Sequence, residues 1–261
     1  MLRFPFILVA ACVVLLAPSR DAGAVTPCDL RYPSDASVPW ECRRIGKGET
    51  LESLFGERWQ DVARFNRMDR RHAYPGMRIR VPTSLADLDG FRPMPARYEA
   101  AANQAKFLLI DLSEQFVGAY EHGALVFSAP VATGRRSHPT PTGEFQITAF
   151  DRSHRSSLYT VEGTSRPYPM HYGLRFLTTL AGVTYWIHGR DMPGYPASHG
   201  CIGLSDEQMQ RDVYRTPRDP LLADARRLYE WVIGDTPDPG TQQEIVGPRV
   251  LITGALPPSR R

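Results

Sequence analysis

The segment IHGRDMPGYPASHGCIGL, residues 187–204, sets His188, His199 and Cys201 close together in a chain of 261 residues with only 7 histidines and 4 cysteines. Three chemistries fit those residue types. A zinc site needs three or four ligands at matched spacing, such as paired C-x-x-C or two histidines one helical turn apart. Neither pattern is present, and His188, His199 and Cys201 would have to borrow a distant carboxylate. Core packing alone suits a lone cysteine, but SHGC is too polar and too glycine-rich for ordinary core filler. Nucleophilic catalysis fits best, because a thiol is activated by a neighbouring imidazole that takes its proton. His199 lies on the nucleophile's own loop, whereas His188 arrives at the end of a separate strand, VTYWIHG. A base held by another element keeps a more rigid geometry, which favours His188. Gly200 keeps the backbone bare, so that amides around Cys201 are free to face a developing oxyanion.

These residues need a scaffold. From Lys106, KFLLIDLSEQFVGAYEHGALVFSAPVATG reads as hairpin strands broken at Ser113–Glu114 and at His122–Gly123. SHPTPTGEFQIT is a turn followed by a strand, DARRLYEWVIG the one strong helix and GPRVLIT a late strand. The region is mainly β, and His122, His138 and His154 are expected at its surface. Upstream, residues 43–82 hold two short apolar-periodic stretches, the first capped by Thr50 and the second ending at Asn66. Pro75 and Gly76 then turn the chain into the alternating MRIRVP, giving a β-α-α-β unit. Residues 83–105 read as a linker with a short helical piece, and 254–261 as a tail.

The N-terminus carries one Arg, an apolar run from Phe4 to Ala17, and Ala22–Gly23–Ala24 in small-x-small spacing. The run is shorter than the ~20 residues of a spanning helix, so 1–24 is expected to be a signal peptide and the chain to be exported, periplasmic or wall-associated. Removing it takes Cys12. Cys28 and Cys42, in the tether-like segment 25–42, are then expected to pair, leaving Cys201 as a free thiol. Thirty-one Lys and Arg against 28 Asp and Glu give a net charge of +3, too little for a nucleic-acid binder.

Two resemblances follow from these motifs. GKGETLESL, RFN and YPGMRIRVP make 43–82 similar to a LysM module, which implies a small α+β domain that binds N-acetylglucosamine-containing glycan strands; Glu49 and the Arg-rich RMDRRHAY depart from the usual pattern. IHG followed by SHGCIGL, with LLIDLSEQFVGAYEHGALVFSAPVATGRRSHPTPTGEFQI and its TPTG turn, makes 106–253 resemble the L,D-transpeptidase (YkuD) family. That resemblance implies a β-sandwich in which Cys201 attacks a peptidoglycan stem peptide and forms a thioester. An amine of a second stem, an envelope-protein lysine or a free D-amino acid would resolve it, without metal or cofactor. It assigns His188 as proton acceptor and donor, the Gly189 carbonyl as its orienting partner, the Gly200 and Cys201 amides as oxyanion donors, and Ser198 and His199 as loop supports. Tyr172 and Arg175, in YPMHYGLRF, become candidate substrate-binding walls, Arg175 being suited to a carboxylate. Water as acceptor would give an L,D-carboxypeptidase or crosslink hydrolase, and a degenerate site a wall-binding protein. Gly203 stands where the family usually carries Asn or Arg, so a polar contact is missing there; the following insertion either supplies a replacement through Arg211, Tyr214 or Arg215 or is only a solvated lid.

Overall fold

A computed structural model describes residues 25–259; the expected signal peptide, with Cys12, lies outside the described residues. The N-terminal part runs β1 (Trp40–Arg44), α1 (Leu51–Phe55), α2 (Trp59–Phe65), β2 (Arg78–Pro82), with β1 and β2 antiparallel. The Thr50 side chain accepts from the Ser53 amide and so starts α1. Val62, Ala63 and Phe65 of α2 and Ile79 of β2 close a small core. Cys28 and Cys42 are disulfide-bonded across the entry to this unit.

The rest is mainly β. In chain order the strands are β3 (Phe107–Asp111), β4 (Phe116–Glu121), β5 (Ala124–Pro130), β6 (Gly143–Gln146), β7 (Ala149–Asp151), β8 (Arg155–Thr160), β9 (Pro167–Pro169), β10 (Gly173–Thr178), β11 (Thr184–Arg190), β12 (Ile202–Ser205), β13 (Gln243–Glu244) and β14 (Arg249–Thr253). Helices α3 (Glu207–Tyr214) and α4 (Asp224–Ile233) fall between β12 and β13. One sheet has the order β5-β4-β3-β14-β6, the other β12-β11-β10-β7-β13, and β8 and β9 form a separate hairpin. Two pairs are parallel, β3 with β14 and β11 with β12.

The apolar run Phe107–Ile110 does not alternate with polar residues because both faces of its sheet are covered. Leu108, Ile110, Val117, Ala119, Val250 and Ile252 point into the sandwich, where they meet Leu174, Ile187 and Ile202 of the second sheet and Leu228 and Val232 of α4. Phe107, Leu109, Phe116 and Tyr120 point the other way, into the same core as α1, α2 and β2.

That second core corrects two expectations. Residues 83–105 are not a loose linker: Leu88, Phe91, Met94 and Ala101 are buried in it, on short 3-10 turns at Leu85–Gly90 and Glu99–Ala101. Nor is 25–42 a tether. Tyr32 and Val38 are buried, Asp35 accepts from Arg80 Nη1, and Ser34 accepts from Nη2 of Arg67, which also reaches Glu114. Burial pulls the Arg67 pKa down to about 9. The β-α-α-β unit is therefore packed against the outer face of the first sheet as part of one folded body.

Candidate active site

Strand β11 places side chains alternately on two sides. Ile187 enters the sandwich core, while His188 and Arg190 line a cleft of about 370 Å³ at the end of the second sheet, and Trp186 is buried with Ala149 and Met170. Parallel pairing sets His188 opposite Gly203, so Cys201, just before β12, comes level with Trp186. His188 and Cys201 both line the cleft, with Ser198, His199, Arg190 and Tyr214. Cys201 is the one free cysteine among the described residues.

The imidazole has one ring nitrogen assigned by chemistry. Its Nδ1 lies 2.8 Å from the Gly189 carbonyl, which can only accept, so Nδ1 carries the proton and Nε2 holds the lone pair. Burial drives the His188 pKa down to about 3, against the opposing pull of the Gly189 hydrogen bond. Burial also raises the Cys201 thiol above its ordinary value, partly offset by a backbone hydrogen bond from Trp186 and the charge of Arg190. The free site thus rests as thiol and neutral imidazole, and proton transfer has to accompany attack by sulfur.

The loop carrying the thiol is tied on three sides. Ser198 Oγ donates to the Cys201 carbonyl and accepts from the Gly200 amide at 3.0 Å. Thr140, from the TPTG turn, donates to the Gly200 carbonyl at 2.9 Å and accepts from the Gly134 amide at 2.8 Å. The Ser198 amide donates to Thr133 at 3.0 Å, and the Arg135 amide to Ser198 at 3.0 Å. Gly200 sits at φ +112°, where a Cβ would come within 2.5 Å of the Tyr185 ring. The expected oxyanion role of Gly200 needs correction, because its N–H is already given to Ser198; the Cys201 amide is the one left for that task. His199 is not a second base: Arg135 donates to its Nε2 at 2.8 Å, and its ring stacks on Tyr159 with centroids 4.4 Å apart.

The span between base and nucleophile is fixed from the N-terminal unit, which sequence reasoning did not foresee. Asp69 accepts from the Met192 amide at 2.5 Å and from Gln210 Nε2 at 2.9 Å, and its own amide donates to the Met192 carbonyl at 3.0 Å. Met68 and Pro193 form an antiparallel bridge beside it. The charged connector RMDRRHAY is thus a dock for the active-site loop.

The model of the YkuD family, L,D-transpeptidase catalytic domain, matches residues 105–251, more than half of the chain. The chain belongs to the YkuD family. No curated protein matches it. Among solved structures, it is similar to an L,D-transpeptidase from Xylanimonas cellulosilytica (23% identity, 74% of this chain and 79% of that one, TM-score 0.44). Similar too are L,D-transpeptidase 1 from Mycobacterium tuberculosis (22%, 57% and 62%, TM-score 0.36) and the LD transpeptidase LdtMt1 in complex with imipenem (19%, TM-score 0.37). This chain spans 59% of the length of the last.

Within the YkuD domain, three expected placements are overturned. Arg175 does not reach the cleft: β10 aims it at Thr148, 3.0 Å away, and at Glu244, which it pairs with. Tyr172 packs instead against Tyr229 of α4, centroids 5.6 Å apart, at the margin of the sandwich core. His154 is not a surface residue, since its ring stacks 3.9 Å from that of Trp186 and accompanies Asp151. Of the insertion after Cys201, Tyr214 lines the cleft, with the Arg71 guanidinium over its ring at 3.9 Å. Sequence reasoning also missed Arg190, although it follows IHG directly.

Proposed function

We propose that this chain is an exported peptidoglycan L,D-transpeptidase. What supports the reading most is one arrangement in a YkuD domain: a free Cys201 sharing a cleft with a buried imidazole whose Nδ1 is held by the Gly189 carbonyl. Cys201 Sγ attacks the carbonyl carbon of the third residue of a tetrapeptide stem while its proton passes to His188 Nε2. The tetrahedral oxyanion is met by the Cys201 amide. The bond to the terminal D-alanine breaks, His188 returns the proton to the departing amine, and a thioester remains. An amine from a second stem attacks the thioester, giving its proton to His188, which hands it back as Cys201 leaves as thiol. A lysine of an envelope protein serves in the same step, and none of the steps needs a metal or cofactor. The β-α-α-β unit, resembling LysM, holds the enzyme on glycan strands.

The test is product analysis of the mature protein and its Cys201→Ala variant with disaccharide-tetrapeptides. Crosslinked dimers short of one D-alanine, formed only with Cys201, are the expected result. Tripeptides alone would make the enzyme a carboxypeptidase, and unaltered substrate would leave a wall-binding protein.

A further inference from the structure

Gly203 faces His188 across the parallel β11–β12 pair, two residues beyond the nucleophile. A Cβ built there would lie 1.8 Å from Cδ and 2.1 Å from Cγ of Arg190. The bare backbone is therefore a groove in which the aliphatic stem of Arg190 lies, so that β11 delivers a guanidinium where β12 has no side chain. The Arg190 side chain is 14% exposed, and that remaining exposure is on the cleft wall it shares with Cys201. Its Nε donates to the Asp191 carbonyl at 2.9 Å. The nearest carboxylate oxygen, Asp191 Oδ1, is 3.9 Å from Nη2, beyond hydrogen-bond distance. That carboxylate already accepts from the Tyr168 hydroxyl at 2.6 Å and faces Arg71 and His72, each at 3.4 Å. The two terminal nitrogens of Arg190 thus donate to no described residue while bordering the nucleophile. A largely desolvated guanidinium with an open donor fork is matched by a carboxylate, which it can take bidentately.

Resting on the acyl-transfer reading above, we infer that Arg190 is the specificity-determining residue of this site, binding a carboxylate of the acyl donor from the groove that Gly203 opens. The donor has two such groups near the scissile bond, the terminal carboxylate of the departing D-residue and the side-chain carboxylate of a diamino acid such as diaminopimelate.

The experiment compares three tetrapeptide donors with the mature protein: the free acid, one amidated at the terminus and one amidated on the diamino acid side chain. For the unmodified protein kcat/KM falls about 10–100-fold for one amide, the cost of a lost charge-assisted hydrogen bond, and which amide identifies the carboxylate. In Arg190→Gln the free acid falls by a similar factor, to the level of the amide that the unmodified protein disfavours; Arg190→Lys keeps part of the discrimination. The paired change Arg190→Gly with Gly203→Arg restores a guanidinium from the other strand and with it the preference, whereas Arg190→Gly alone does not. Thermal unfolding of each variant identifies any that fail to fold, and Arg190→Lys, which retains stem and charge, keeps the test readable. Undiminished discrimination in folded Arg190→Gln, or none in the unmodified protein while it turns over all three donors, overturns the inference. No turnover of any donor by the folded protein overturns the acyl-transfer reading beneath it.

Discussion

At the scale of single residues, the site is set by burial. A neutral His188 is a ready base, but its depressed pKa also ties stability to acidity. Below about pH 6.5 the unfolded chain takes up the imidazole proton, and the folded chain does not until about pH 3. Stability is therefore unaffected by this group above that window and falls on acidification through it, by about 2 kcal/mol between pH 7 and pH 5. In His188→Gln the urea midpoint should drop markedly less over that interval; an equal drop would mean the imidazole is not buried neutral. His154, lowered by burial too, adds to the same slope in both proteins. The same substitution should cut acylation by about 10²–10⁴-fold, the usual worth of a positioned base.

At the scale of elements, the loop between base and nucleophile depends on partners far away in sequence. Asp69→Ala leaves the Met192 amide and the Gln210 side chain without their acceptor in a dry site, so a loss of about 3 kcal/mol is expected together with slower acylation. Chemical denaturation and single-turnover kinetics on the same preparation measure both; a folded variant acylating at full rate would show that the loop holds itself. Here lies the boundary of what the sequence makes legible. IHG, SHGC and TPTG are each short local motifs, legible through the family resemblance they carry, and the structure brings His188 and Cys201 to one cleft with Thr140 on the Gly200 carbonyl. The apolar run of β3 and the capped start of α1 are equally local signals. Arg190 and Gly203 are thirteen positions apart, and their exchange of space depends on a parallel register that no periodicity encodes. Tyr172 and Arg175 misled for a related reason: a place at or within β10 does not say which side chain turns toward the cleft.

At the scale of the whole molecule, one sheet serves two cores. Deleting residues 25–82 would unroof the core that contains Phe107, Leu109, Phe116 and Tyr120, leaving only the short turns of 83–105 over an apolar face that a soluble domain does not tolerate. Such a fragment is expected to aggregate or to be rapidly degraded in limited proteolysis, whereas a tethered module would leave a soluble, active remainder. Cys28→Ser should be milder, removing the closure of a 14-residue loop worth about 3 kcal/mol in the chain-entropy description and leaving the chemistry intact.

The shared core also makes the protein a caliper. A module on a flexible leash lets an enzyme search the volume around its anchor, but here the β-α-α-β unit and the first sheet of the YkuD domain are held at one separation and one angle by packed side chains. On the proposal that this unit binds glycan, the enzyme seated on a strand addresses only stems that project at the matching pitch, and reach is set by the twist of the polymer instead of by diffusion. On the same proposal, second stems are brought to it by the wall.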